Sequence, residues 1–100
     1  MAYAILFHDD AGKAEVRTRL RDAHVAHIRA HLHRIVASGG LLTDDGQTAN
    51  GGLIVLDTDD RAEAEAFVRA DPFWQGGVFS TYTITRWRKA FVAGQDLKIL

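Results

Sequence analysis

Apolar and polar positions change their spacing several times along this chain, and each change marks a boundary. Residues 3–8, YAILFH, are almost continuously apolar or aromatic and run into Asp9, Asp10 and the turn signal Gly12, which predicts a mostly buried first strand. Residues 13–38 contain neither glycine nor proline, and Val25, Ile28, Leu32, Ile35 and Val36 recur at helical steps. That spacing predicts one long amphipathic helix, stopped by Gly39 and Gly40. Two strand-like runs follow, LLTDDGQ and GLIVLDT, with Asn50, Gly51 and Gly52 in the connection between them, so a hairpin is predicted. DDRAEAEAFVRA opens on a capping acid, is rich in alanine and glutamate, and places Ala62, Ala66, Phe67 and Ala70 toward one side of a second helix. VFSTYTITRW, alternating and rich in β-branched and aromatic residues, reads as the last strand.

The resulting order, βαββαβ, is that of an α+β ferredoxin-like fold: a four-stranded antiparallel sheet with both helices on one face. The other face is then bare. With Tyr3, Ile5, Phe7, Tyr82 and Ile84 on the first and last strands, that face is expected to be partly apolar and covered by a second copy, giving a homodimer. Residues 1–100 form a single domain, with a core to about residue 88 and a C-terminal tail, residues 89–100, that packs on the domain or its partner.

Composition narrows the functions open to such a domain. A chain of 100 residues, 47% of them apolar, supports one core and little more, so oligomerisation would help it. Twelve basic residues against thirteen acidic ones supply no global field toward nucleic acid or an anionic membrane. RNA-binding sheets of this topology also carry paired aromatics and basic residues on a central strand, and GLIVLDT has neither. The absence of cysteine removes thiolate catalysis and Cys-ligated zinc. AYAILF is too short for a signal-peptide core, so a soluble, cytoplasmic protein without membrane attachment is expected.

Candidate chemistry lies in RLRDAHVAHIRAHLHR. His24, His27 and His31 fall within roughly 60° of helix surface, but no neighbouring element offers a third metal ligand. No metal or other cofactor is therefore assigned, and His27, His31 and His33 read as helix-surface residues. His24 borders the apolar stripe and follows Asp22, read as a first-turn residue; there the positive end of the helix dipole would favour the neutral ring, able to act as a base. Arg17 and Arg21 project near the same side, Arg17 as a salt-bridging residue and Arg21 either as that or as an anion holder. Asp71 stands at the end of the second helix before Pro72, the chain's one proline, which turns its predecessor out of helical geometry and is expected to throw the carboxylate outward. Because both helices share a face, this corner can approach the first helix, where a carboxylate would orient an imidazole; alternatively Asp71 caps the turn DPFWQG.

RDAHVAHI, LLTDDG, GLIVLDTDDRAEAEAFVRADPFWQGGVF and ITRWRKAF together resemble the YCII-related family across nearly the whole chain. The most specific pieces are Arg21-x-x-His24 and Asp71-Pro72-Phe73 followed by Gly77. The resemblance implies a ferredoxin-like fold that dimerises through its sheets into an α+β barrel. It also implies a pocket whose His–Asp pair, His24 and Asp71 here, is catalytic. One relative removes chloride from a hydroxylated ring, so such chemistry is within the pocket's reach. Members often carry proline after the arginine, where this chain has Asp22.

Two readings follow. In the first, the homodimer is a lyase or isomerase acting on a small anionic cyclic or aromatic molecule, with His24 as acid or base, Asp71 orienting it, Arg21 holding negative charge, and Phe73 and Trp74 lining the pocket. In the second, the same pocket serves a non-catalytic dimeric module that binds a small ligand or regulates. A substrate-sized cleft with His24 open to it favours the first.

Overall fold

A computed structural model describes residues 1–100. In chain order the elements are β1 (Ala2–His8), α1 (Ala14–Arg29), a 3₁₀ turn (Leu32–Arg34), β2 (Ile35–Leu42), β3 (Ala49–Leu56), α2 (Arg61–Arg69), α3 (Pro72–Gln75), β4 (Tyr82–Trp87), β5 (Phe91–Val92) and β6 (Gln95–Asp96). β1 to β4 form an antiparallel sheet in the order β2-β3-β1-β4, the ferredoxin-like arrangement. β5 and β6 make a separate small hairpin in the tail, and Lys89 at the tail's start bonds Asp57 at 2.9 Å. No helix is long and apolar enough to cross a membrane.

The first helix is shorter than its spacing predicts. It ends at Arg29, and the apolar residues that prolong its period, Ile35 and Val36, begin β2 instead. Periodicity cannot separate the two because the helical stripe and the inward residues of the following strand happen to continue one another. At the break His31 Nδ1–H donates to the His27 carbonyl at 2.8 Å and satisfies one of the orphan acceptors at the helix end. Gly39 and Gly40 are therefore strand residues and stop no helix.

The β2–β3 hairpin is also displaced from its prediction. Only Leu41 and Leu42 of LLTDDGQ are in a strand, and the turn is residues 43–48, closed by Thr43 N–H donating to the Thr48 carbonyl at 2.9 Å. Asn50, Gly51 and Gly52 belong to β3. Gly52 is small for a packing reason: a Cβ there would lie 2.6 Å from Cζ of Phe7.

Register decides which side is core. Tyr3, Ile5 and Phe7 pair across β1 with Leu56, Ile54 and Gly52. These side chains, with Ile84, pack against Phe67 and Val68 of α2, so they face the helices. The bare face is the opposite parity, Ala4, Leu6, Leu53, Val55, Thr83 and Thr85. This corrects the expectation that Tyr3, Ile5, Phe7, Tyr82 and Ile84 line it: a run apolar on both parities hides which one the helices cover. The face remains partly apolar, with Leu6 and Leu53 36% and 40% exposed.

α2 starts as predicted, with Asp60 Oδ1 accepting from Ala62 N–H at 2.8 Å. Its buried stripe is Ala64, Phe67 and Val68, while Ala62, Ala66 and Ala70 are exposed. Alanine adds little apolar area, so the larger Phe67 and Val68 orient the helix.

Candidate active site

The α2–α3 corner and the middle of α1 meet on the helix face. Leu20 of α1 packs where a Cβ on Gly76 would stand, 2.1 Å from Leu20 Cδ1, so Gly76 lets α1 close on the end of α3. Asp71 caps α3 in the way its place before proline predicts: its Oδ1 accepts the Phe73 N–H at 2.9 Å, with Pro72 at the first helical position. The carboxylate does not point outward. It is 2% exposed and lies against His24, whose Nδ1 is 2.8 Å and 2.9 Å from its two oxygens. Pro72 sets the backbone angle, and the packing of Phe73, fully buried, turns the whole corner inward.

The carboxylate therefore makes the cap and the imidazole contact at once, since one oxygen serves both. A carboxylate can only accept, so Nδ1 carries the proton and Nε2 is left with a lone pair. Nε2 has no protein partner and no buried side-chain nitrogen or oxygen lacks one, so Nε2 is open to solvent. Phe73 stacks on the ring, with centroids 3.9 Å apart and planes within 3°.

His24 reaches this position from mid-helix. It lies ten residues beyond Ala14, outside the first turn where the dipole acts, so the argument for a neutral ring from helix entry falls away. Asp22 is exposed and caps nothing, the N-cap position being Lys13.

His24 opens onto a cleft of about 670 Å³ between α1 and the β2–β3 side of the sheet. Its lining includes Arg17, Arg21, Arg29 and Phe73 and contains no carboxylate. Arg17 is immobilised: Nε and Nη2 bond the two Asp9 oxygens at 2.6 and 3.2 Å, and Nη2 also donates to the Gly51 carbonyl at 3.0 Å. Its guanidinium carbon is 4.7 Å from the Phe73 ring centre. Arg21 makes no ion pair or hydrogen bond and lines the cleft with its charge uncompensated. Trp74 does not line it; the indole packs on Phe79 and Tyr82 on the far side of α3, because adjacent residues on a short helix face about 100° apart.

The other histidines do not converge with His24, and no group of three or more potential ligands is placed to hold a metal ion. His27 is not a plain surface residue. Its Nε2–H donates to the Phe67 carbonyl in the last turn of α2 at 2.9 Å, and its ring tilts on Phe67 at 4.6 Å. Burial lowers its pKa below 6.5, opposed in part by the Phe67 carbonyl and the Asp71 charge. The His24-x-x-His27 spacing carried this signal: two imidazoles one turn apart on the helix face nearest α2.

The chain matches the YCII-related domain over residues 1–88. It belongs to the YCII-related family. Two relatives are the YciI proteins of Escherichia coli O6:H1 strain CFT073 and Shigella flexneri, each 26% identical over 99 residues, covering 91% of this chain and the whole of the relative. Among solved structures the chain is similar to the 5-chloro-2-hydroxyhydroquinone dehydrochlorinase TftG of Burkholderia phenoliruptrix AC1100 in complex with 2,5-dihydroxybenzoquinone. The TM-score is 0.81 at 26% identity, over 88% of this chain and 94% of that one. The YCII-related core thus spans all four sheet strands and the corner that carries Asp71.

Proposed function

We propose that this YCII-related protein is a lyase or isomerase for a small anionic ring, with His24 Nε2 moving the proton, Asp71 orienting the imidazole, Arg21 holding negative charge and Phe73 forming the wall behind the ring. The single observation that carries the reading is His24 Nδ1 held between both oxygens of a buried Asp71 while Nε2 is open beside an uncompensated arginine. General acid and base work by such a pair is worth on the order of 10²–10⁴-fold in rate, enough for an activated substrate.

The dehydrochlorinase neighbour suggests the reaction. His24 takes a hydroxyl proton from a hydroxylated haloaromatic and delivers it to the halogen-bearing carbon, converting the ring to its keto tautomer. Loss of a second hydroxyl proton then drives the electron pair toward that carbon, and halide leaves with its bonding electrons. The net change is loss of HX, with the halogen-bearing carbon reduced as the ring is oxidised to the quinone, so no external oxidant or reductant is needed. Leu6 and Leu53 on the bare sheet face support a homodimer closed through that face.

The test is chloride release and quinone absorbance with 5-chloro-2-hydroxyhydroquinone, comparing wild type with His24→Gln. Turnover lost in the variant supports the reading. Binding of 2,5-dihydroxybenzoquinone without turnover of any halogenated or isomerisable ring would put a non-catalytic binding module in its place.

A further inference from the structure

The cleft is larger and more divided than one hydroxylated ring requires. About twenty waters of bulk liquid would fill its 670 Å³, several times what a single six-membered ring displaces. The lining also changes along α1. Arg17, Arg21 and His24 come first, and toward and beyond the helix end the lining is mostly apolar, with Ile28, Leu32, Ile35 and Leu42 and Arg29 as the one charge among them. From Arg21 to Ile28 the helix rises roughly 10 Å, so the two ends are separate zones.

Leu32 and Leu42 are 61% and 53% exposed, large apolar side chains left in water at the mouth of a concavity. The floor beneath is backbone. Gly40 pairs with Gly52 on the helix-facing side of the sheet, and a Cβ on Gly40 would meet nothing closer than 3.9 Å. Nothing in the fold requires glycine there through contact, and the missing side chain leaves the sheet surface bare enough for a flat molecule to lie on it.

We propose that the natural substrate is an anionic ring bearing an apolar arm of several carbons, the ring seated between His24 and Arg21 and the arm running over Gly40 toward Leu32 and Leu42. The inference rests on the small-molecule reading above and adds the substrate's second half. An arginine-rich zone without carboxylates selects the anionic head, and a mostly apolar zone continuous with it, in which Arg29 is the one charge, selects the arm.

The experiment measures dissociation constants by calorimetry for 2,5-dihydroxybenzoquinone and its 3-butyl and 3-hexyl homologues, in wild type, Gly40→Leu and Leu32→Gln. Each buried methylene is worth about three- to fourfold, so the hexyl homologue should bind on the order of 100-fold or more tighter than the parent ring in wild type. In Gly40→Leu and Leu32→Gln that ratio should fall below about tenfold. The parent and its homologues binding wild type equally would overturn the arm while leaving the ring site standing, with the apolar zone then assigned to contact with a second copy. An alkyl advantage undiminished in both variants would overturn it too, by placing the arm elsewhere. Failure of all three ligands to bind would remove the small-ring reading and the arm with it.

Discussion

Asp71 is asked to do two things with one buried carboxylate, and replacing it with asparagine or alanine separates them. In Asp71→Asn the amide oxygen can keep the Phe73 N–H, and asparagine is as good a cap as aspartate, so α3 should survive at a cost under about 1 kcal/mol. The amide nitrogen then occupies the place of Oδ2, 2.9 Å from His24 Nδ1. A donor there competes with Oδ1, 2.8 Å from the same Nδ1, and with the carboxylate charge gone the ring shifts toward the Nε2–H tautomer, in which the cleft-facing nitrogen is a donor instead of an acceptor. Asp71→Ala loses the cap, about 1 kcal/mol, and leaves Nδ1–H without its acceptor, about 1–3 kcal/mol more. For a domain of this size the sum of roughly 2–4 kcal/mol lowers Tm by about 10 °C or more. Nitrogen-detected NMR of the His24 ring reads the tautomer, and thermal melts read the cap. The expected pattern is a near-native Tm with the tautomer shifted toward Nε2–H and turnover reduced at least 10²-fold for asparagine, and a clear loss of Tm for alanine. An unchanged His24 tautomer in Asp71→Asn would refute the claim that the carboxylate sets the ring's protonated nitrogen.

Three further outcomes follow from the same geometry. His27 has its pKa lowered chiefly by burial, so as pH falls through about 6.5 the unfolded chain takes up the proton first; stability is kept above that pH and declines below it until the folded ring also protonates. Melting from pH 7 to pH 5 should therefore lower Tm more in wild type than in His27→Gln, whose amide can still donate to Phe67 without titrating; parallel curves would contradict the assignment. Arg21→Ala should weaken anion binding about tenfold or more with a stability change within about 0.5 kcal/mol, whereas Arg17→Ala, which breaks the Asp9 and Gly51 contacts, should cost about 1.5–3 kcal/mol in denaturant melts. Gly52→Ala pushes a methyl into the Phe7 ring and should cost about 1–3 kcal/mol, read as a lower urea midpoint at constant m-value.

What could be read before the fold was known depended on whether the physics was local. The cap at Asp60, the strands at YAILFH and GLIVLDT, and the order βαββαβ are set by neighbours in sequence, and all are present. The end of α1 was not legible, because Ile35 and Val36 extend a helical stripe and also suit a strand; the choice is made by pairing with β3, a contact across sequence. The parity of β1 fails to show for the same reason. Tyr3, Ile5 and Phe7 alternate with Ala4 and Leu6, and only the helices above the sheet decide which set is core.

The site followed a similar division, with a more useful lesson in its errors. The approach of His24 and Asp71 was legible because βαββαβ topology lays α1 beside the α2–α3 corner whatever the side chains are. The direction of the Asp71 carboxylate was not, since proline dictates a backbone angle and says nothing about which way the corner faces; Phe73 decides that by burying its ring under His24. The assignment of Trp74 to the cleft erred on the same step, treating consecutive aromatics as one surface when a helical turn sends them apart. Phe73 thus connects the two halves of the site. Its N–H takes the cap from Asp71, its ring stacks on the imidazole that Asp71 orients, and Arg17 stands near that ring, so cap, imidazole and guanidinium share one buried side chain. A pocket organised in this way fixes the orientation of its imidazole through packing before any ligand arrives, which is the condition that the proposed proton transfer requires.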